Sequence, residues 1–234
     1  MSETFLPTVG HGLDPALRER MMAISAGVPV DEGGGSSLIK VFLLAELIVA
    51  ERLETIVEIG VYRGRLFLPL AGLMAGLERG TMIGIDPYSP AAAIQTDVER
   101  EGIDLVAWPE TVDWEGIHEE VRAGMRRWET EAHSELLRAR SEDVAADFAA
   151  RPIDLMHVDG NHDRAAVTRD IERFLPHMKP GAILVMDDIA WPSVKPVFDE
   201  LCEEHQLLFS LVETGVCLWP QGGPNEFAVL RVNG

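Results

Sequence analysis

Cysteine is scarce in this chain: only Cys202 and Cys217 occur among 234 residues, too few and too poorly spaced for a disulfide framework or a zinc site. A reducing cytoplasm is the compartment expected from that usage. Positive charge is short as well, with 20 Lys and Arg against 39 Asp and Glu and a formal net charge of −19. Phosphate backbones need clustered cations, so no nucleic-acid partner is expected. The opening MSETFLPTVG has no basic region followed by an apolar core, which excludes the pattern of a secretory signal. The most apolar run, Val41 to Ala50, carries Glu46 and is too short to cross a bilayer, so no membrane partner is expected either. No internal repeat is visible. What remains is an ordinary globular chain with a hydrophobic fraction of 47%.

Residues 1–37 are rich in Gly, Pro and charge and end in DEGGGSS, which predicts an irregular lead-in or lid. Residues 38–234 predict one domain. Ser36 or Ser37 caps a helix from Leu38 to about Arg52 that is apolar around most of its circumference, as suits a helix packed between a sheet and another layer such as a second subunit; a homo-oligomer, dimer or larger, is expected. Five short runs of strand type alternate with helical stretches: TIVEIG at 55–60, TMIGID at 81–86, ELLRAR at 135–140, IDLMHV at 153–158 and AILVM at 182–186. Two further strands are expected near 207–214 and 226–232. The pattern predicts an α/β fold, a Rossmann-like doubly wound seven-stranded sheet, mostly parallel with an antiparallel edge strand and helices on both faces. Residues of about 87–133 break the alternation and read as a substrate-side insertion over the carboxyl edge, with a helix from Asp113 to about Trp128.

The chemistry-bearing residues fall at strand ends. Glu58, Gly60 and Gly64 form E-x-G-x-x-x-G, in which Gly60 permits a tight turn and close approach to a ligand; a purely structural turn is the alternative. Tyr62 stands where dinucleotide folds often carry a second glycine, which disfavours a nicotinamide pyrophosphate. Asp86 lies at the distance from Gly60 expected of a ribose-binding acid, or it caps the Pro87–Tyr88 turn. Ser141 and Glu142 cap a short helix or contact an adenine. Asp159, Asp187 and Asp188 end the fourth and fifth strands; three carboxylates gathered there would repel one another unless a cation lay between them, and oxygen ligands suit magnesium, manganese or calcium. His162, three residues after Asp159, is then the candidate base. His157 inside its strand fills the core or contacts a ligand from the sheet face. Trp108, Trp114 and Trp191 flank the active edge as substrate walls or as packing.

VEIGVYRGR, IGIDPYS, RARSED, IDLMHVDGNHD and HMKPGAILVMDDI together resemble the class I S-adenosylmethionine-dependent methyltransferases, and among them the metal-dependent O-methyltransferases of the catechol and macrocin/mycinamicin sugar types. The resemblance runs from about residue 38 onward. It implies S-adenosylmethionine held by Glu58, Gly60, Tyr62, Gly64, Asp86, Ser141, Glu142 and Asp159, and a divalent metal, magnesium above all, held by Asp159, Asp187 and Asp188. It implies catalysis by His162 with Asp159 on a hydroxyl of a small molecule. The catechol type carries Lys three positions after the first acid and the sugar type His, so His162 points to a sugar or polyketide-type acceptor. The 87–133 stretch is longer than the compact catechol enzymes need. A nicotinamide-dependent oxidoreductase on the same fold, or a non-catalytic cofactor-binding subunit, are the competing readings.

Overall fold

The computed structural model of the protein describes residues 12–29, 36–97, 104–212 and 226–233. Among the described residues seven strands form one sheet: β1 (Thr55–Ile59), β2 (Thr81–Ile85), β3 (Ser134–Leu137), β4 (Ile153–Val158), β5 (Met178–Met186), β6 (Gln206–Val212) and β7 (Glu226–Arg231), in the order β3-β2-β1-β4-β5-β7-β6. β1 to β5 run parallel, and β7 runs antiparallel to both neighbours, inserted between β5 and the edge strand β6. The doubly wound, seven-stranded, mostly parallel sheet with mixed direction at one edge is therefore the one the sequence pattern predicts. Strand order reverses between β1 and β4, and a crevice opens outside their carboxyl ends.

Alternate residues of each central strand serve opposite layers. Ile56, Met82, Leu155 and Ile183 face a core shared with helices α1 (Pro15–Gly27), α2 (Leu38–Glu51), α3 (Phe67–Leu77) and, later in the chain, α5 (Trp114–Arg127). Val57, Ile83, Met156 and Leu184 face the second core, closed by α7 (Arg164–Phe174) and α8 (Lys195–Glu204). Burial on both faces explains why the central strands are almost wholly apolar. Two short helices, α4 (Pro90–Ala93) and α6 (Ser141–Val144), lie near the carboxyl edge of the sheet.

Several expectations need correction. The lead-in predicted for 1–37 is not irregular over Pro15–Gly27: Asp14 caps α1 through Ala16 N–H, Pro15 occupies the first turn, and Leu17, Met21 and Ile24 recur on one face. Asp14 and Pro15, part of the Gly, Pro and charge content that predicted an irregular lead-in, are helix-start residues. α1 lies against α3, where Gly72 and Gly76 make room for Ile24 and Leu17; a Cβ at Gly72 would stand 2.2 Å from Ile24 Cδ1. The third strand ends at Leu137, three residues before the predicted Arg140, which frees Arg138 to Arg140 to lead into the crevice. The second half of 87–133 is no addition to the fold, because α5 is the crossover helix that a parallel β2–β3 pair requires, with Trp114, Ile117, Val121 and Met125 buried.

Candidate active site

A cavity of about 640 Å³ opens at the carboxyl ends of β1, β2, β4 and β5. Glu58, Gly60, Tyr62, Asp86, Ser141, Glu142, Asp159, His162, Asp187 and Asp188 all line it. Gly64 does not; it stands behind the loop at φ +76°, with Leu68 packed against it.

The loop after β1 is held by Asp86. Its Oδ2 accepts from Val61 N–H (3.0 Å) and Tyr62 N–H (2.9 Å), and its Oδ1 accepts from Tyr88 N–H (2.7 Å). Burial raises the Asp86 pKa, and these three donors oppose the rise. The turn-capping alternative is thus real; Oδ2 is filled by its two donors, Oδ1 keeps one lone pair, and Asp86 also lines the cavity. Tyr62 takes the left-handed conformation at φ 48°. Its ring joins Trp108 (centroids 6.0 Å apart) and Trp114 (5.9 Å) in an aromatic cluster on the wall. Gly60 is required for a reason the sequence does not reveal: a Cβ there would lie 2.1 Å from the Asp159 carbonyl oxygen, so the strand ends of β1 and β4 themselves forbid a side chain.

At the far end of the cavity Ser141 does not cap its helix. Its hydroxyl donates to Asp170 on α7, a carboxyl that burial pushes up to about 6 against the pull of that bond. Glu142 pairs with Arg169 at 2.9 Å and Arg140 at 3.3 Å.

The acids meet on the floor. Asp159 belongs to two groups of close ligand atoms, one with His157 and Asp187, the other with His162 and Asp188. His162 Nε2 lies 2.9 Å from Asp188 Oδ2 and 3.7 Å from Asp159 Oδ1. Burial lowers the His162 pKa, but the charges of Asp188 and Asp159 outweigh it and push it up to about 10. His157 is fully buried, opposite Glu58 in the β1–β4 register, with Nδ1 3.3 Å from Glu58 Oε1 and Nε2 3.6 Å from Asp187 Oδ2. Burial and the Lys40 ammonium pull it down, and Asp187 and Glu58 raise it to about 9. None of these ring nitrogens has the alignment of a hydrogen bond to the acids.

Lys40 was not foreseen. From the first turns of α2 its ammonium binds Asp187 Oδ2 and lies 3.9 Å from Asp159 Oδ2. Burial pushes Asp187 up, yet Lys40 and His157 reverse this and hold it well below the usual carboxylate range. Burial and the Asp187 charge raise Asp159, against the pull of Lys40. A lone cation in the buried first turns of an apolar helix was the available signal.

The stretch before α5 is stitched onto this floor. Asn161 Nδ2 donates to the carbonyls of Ala92 (3.0 Å) and Ile94 (2.7 Å), and Gln95 Oε1 meets both the backbone N–H and Nδ1 of His162. Asp163 accepts from Thr96 and Asp97 N–H, and Asp97 accepts from Arg164 N–H. The Trp191 ring lies tilted against His162, with centroids 4.6 Å apart.

Asp187 and Asp188 fall in different triads that share Asp159, and in each triad two carboxylates with one imidazole make a donor set that fits magnesium or manganese. The His162 ring nitrogen that faces these acids is itself without a hydrogen-bond partner.

A family model described as "Methyltransferase domain" matches residues 57–189, more than half of the chain. No curated protein sequence matches it. Among solved structures, the chain is similar to cofactor-bound Rv0187 from MTB, at 19% identity over 98% of this chain and 95% of that one, with a TM-score of 0.62. It is similar to the O-methyltransferase TomG from Streptomyces achromogenes, involved in tomaymycin synthesis and solved with SAM, at 17% identity, 95% and 91% coverage and a TM-score of 0.61. It is also similar to an O-methyltransferase from Bacillus cereus in complex with SAH, at 16% identity, 94% and 92% coverage and a TM-score of 0.61. At these identities the likeness is one of fold.

Proposed function

The chain belongs to the methyltransferase-domain family, and from that premise we propose that it transfers a methyl group from S-adenosylmethionine to a hydroxyl oxygen of a small molecule, assisted by a divalent metal. The observation that carries this reading is the pair of ligand triads that share Asp159, one with His157 and Asp187 and one with His162 and Asp188, at the cavity bounded by the glycine loop of β1. O-methyltransferases among proteins of the same fold agree with it.

In this reading the loop of Gly60 and Tyr62 carries the methionine part of the cofactor, with Glu58 beneath it and Gly64 shaping the turn. Asp86 accepts from a ribose hydroxyl through the lone pair left on Oδ1, and Ser141 and Glu142 border the adenine. Asp159, Asp187 and Asp188 would hold the metal, magnesium by the chemistry of its donors. When bound, a divalent ion supplies Lewis acidity to the acceptor oxygen and cancels the carboxylate charge that otherwise keeps His162 protonated. His162 would accept the hydroxyl proton at Nε2 as the acceptor oxygen displaces the methyl carbon from sulfur, and S-adenosylhomocysteine would leave as a neutral thioether that keeps the electron pair of the broken carbon–sulfur bond. Alignment of oxygen and methyl provides much of the acceleration, roughly 7 to 11 kcal/mol where geometry is ideal.

The imidazole at position 162 supports a sugar or polyketide-type acceptor. The low cysteine count supports the cytoplasm as its place, and the apolar α2 supports a homo-oligomer. Among the described residues no helix is long and apolar enough to cross a membrane. The test is release of S-adenosylhomocysteine in the presence of a panel of sugar and polyketide diols, with magnesium or with a chelator. Turnover that depends on magnesium is expected; full turnover in chelator would overturn the metal's role.

A further inference from the structure

The acid cluster already holds a cation, and it belongs to the chain. We propose that Lys40 is a tethered competitor of the divalent ion, occupying Asp187 in the ion-free site, so that metal affinity is set from α2. This rests on the metal reading given above.

Three observations support it. The ammonium sits on the same Asp187 oxygen that His157 approaches, Oδ2, and 3.9 Å from Asp159 Oδ2, so it bridges two of the three acids an ion would need. Lys40 is fixed in place: its backbone N–H donates to the Ser37 hydroxyl at the helix start, its ammonium lies 5.7 Å from the centre of the Phe227 ring, and the residue is only 3% exposed. Finally, Glu58 lies in the same buried cluster with Oε2 unpartnered, which gives a displaced ammonium a second carboxylate to turn to on its flexible stem. An ion that captures Asp187 must therefore break one charge pair and tolerate a like charge nearby, both of which weaken its binding.

Binding of Mn²⁺ to the full-length protein, followed by the electron paramagnetic resonance of the free ion, reads this directly and needs no acceptor. Lys40→Gln is expected to bind Mn²⁺ at least about tenfold more tightly than the wild type, because a nearby like charge is gone. Lys40→Arg, which keeps the charge, is expected to stay within about threefold. Asp187→Asn should abolish the gain in the Lys40→Gln background. Lys40→Met provides a second neutral variant should glutamine unsettle α2. Equal or weaker Mn²⁺ binding by the neutral variants, with a wild type that binds through Asp187, would overturn the competition alone. Absence of Mn²⁺ binding from wild type and variants alike would overturn the metal reading and the competition together.

Discussion

Gln95 and His162 are joined twice: the Gln95 side-chain oxygen accepts the backbone N–H of His162 at 3.3 Å and lies 3.1 Å from its Nδ1. A backbone N–H can only donate, so the oxygen of the amide faces the histidine, and Nδ1 must be the nitrogen that carries hydrogen toward it. Nε2 is thereby left to face Asp188, Asp159 and the cavity. Gln95→Leu removes the acceptor at similar volume and is expected to slow methyl transfer about 10- to 100-fold, the usual effect of losing a partner that orients a reactive group. The measurement is S-adenosylhomocysteine release at saturating cofactor; an unchanged rate would retire the orienting role.

His162→Ala should lower turnover by about 10² to 10⁴ if the imidazole is the base. Calorimetric affinity for S-adenosylhomocysteine should hardly change, since Asp86, Ser141 and Glu142 lie elsewhere in the cavity. Loss of binding together with rate would point to a structural fault instead.

Gly60→Ala should disrupt the junction of β1 and β4. The added carbon meets the Asp159 carbonyl at 2.1 Å in a residue already at φ +88°. Strain of that backbone alone is worth about 1 to 3 kcal/mol, and the collision adds to it. A lowered melting temperature with loss of cofactor binding is expected; a wild-type melting curve would contradict the packing described.

Asp170 makes stability depend on pH. Its carboxyl, normally near 3.8, is pushed up to about 6 in the folded chain by burial. The folded state thus binds a proton that the unfolded state releases, so this contribution is complete below about pH 4 and is lost as pH rises to about 6. Asp170→Asn should gain on the wild type across that window, by up to about 3 kcal/mol, and hold the gain at neutral pH. Urea unfolding at pH 4, 5, 6 and 7 checks this, and a pH-independent difference would contradict it.

Met21→Ala should cost about 2 to 5 kcal/mol, as for a fully buried core side chain, because α1 is part of the main core. Urea unfolding measures it; a loss below about 0.5 kcal/mol, the size usual for a surface substitution, would mean that α1 is dispensable.

The frame of the molecule was readable because it depends on local patterns. β-branched runs end in Gly60, Asp86, Asp159 and Asp187, and each lies at a carboxyl end of the sheet where the spacing places it. Other contributors were invisible because their meaning arises at long range. Lys40 meets Asp187 across 147 positions and Gln95 meets His162 across 67, and no periodicity encodes such pairings. α1 was missed for a local reason: its capping acid and first-turn proline have the composition of a loop. Ser141 was read either as a helix cap or as an adenine contact; it stands one residue inside its helix, with Arg140 at the cap position, and its hydroxyl donates to Asp170, a partner 29 positions away that no local pattern encodes.

The placing of β7 also orders events in time. β6 precedes β7 in the chain but lies outside it in the sheet, and its described ladder partners all belong to β7. During synthesis β6 therefore emerges before the strand it must pair with, its Leu207, Leu208 and Val212 exposed even in the finished fold. Until Glu226–Arg231 has docked on β5, the nascent chain carries an unpaired apolar strand, the stage at which interception by a chaperone or by another copy would be most damaging or most useful.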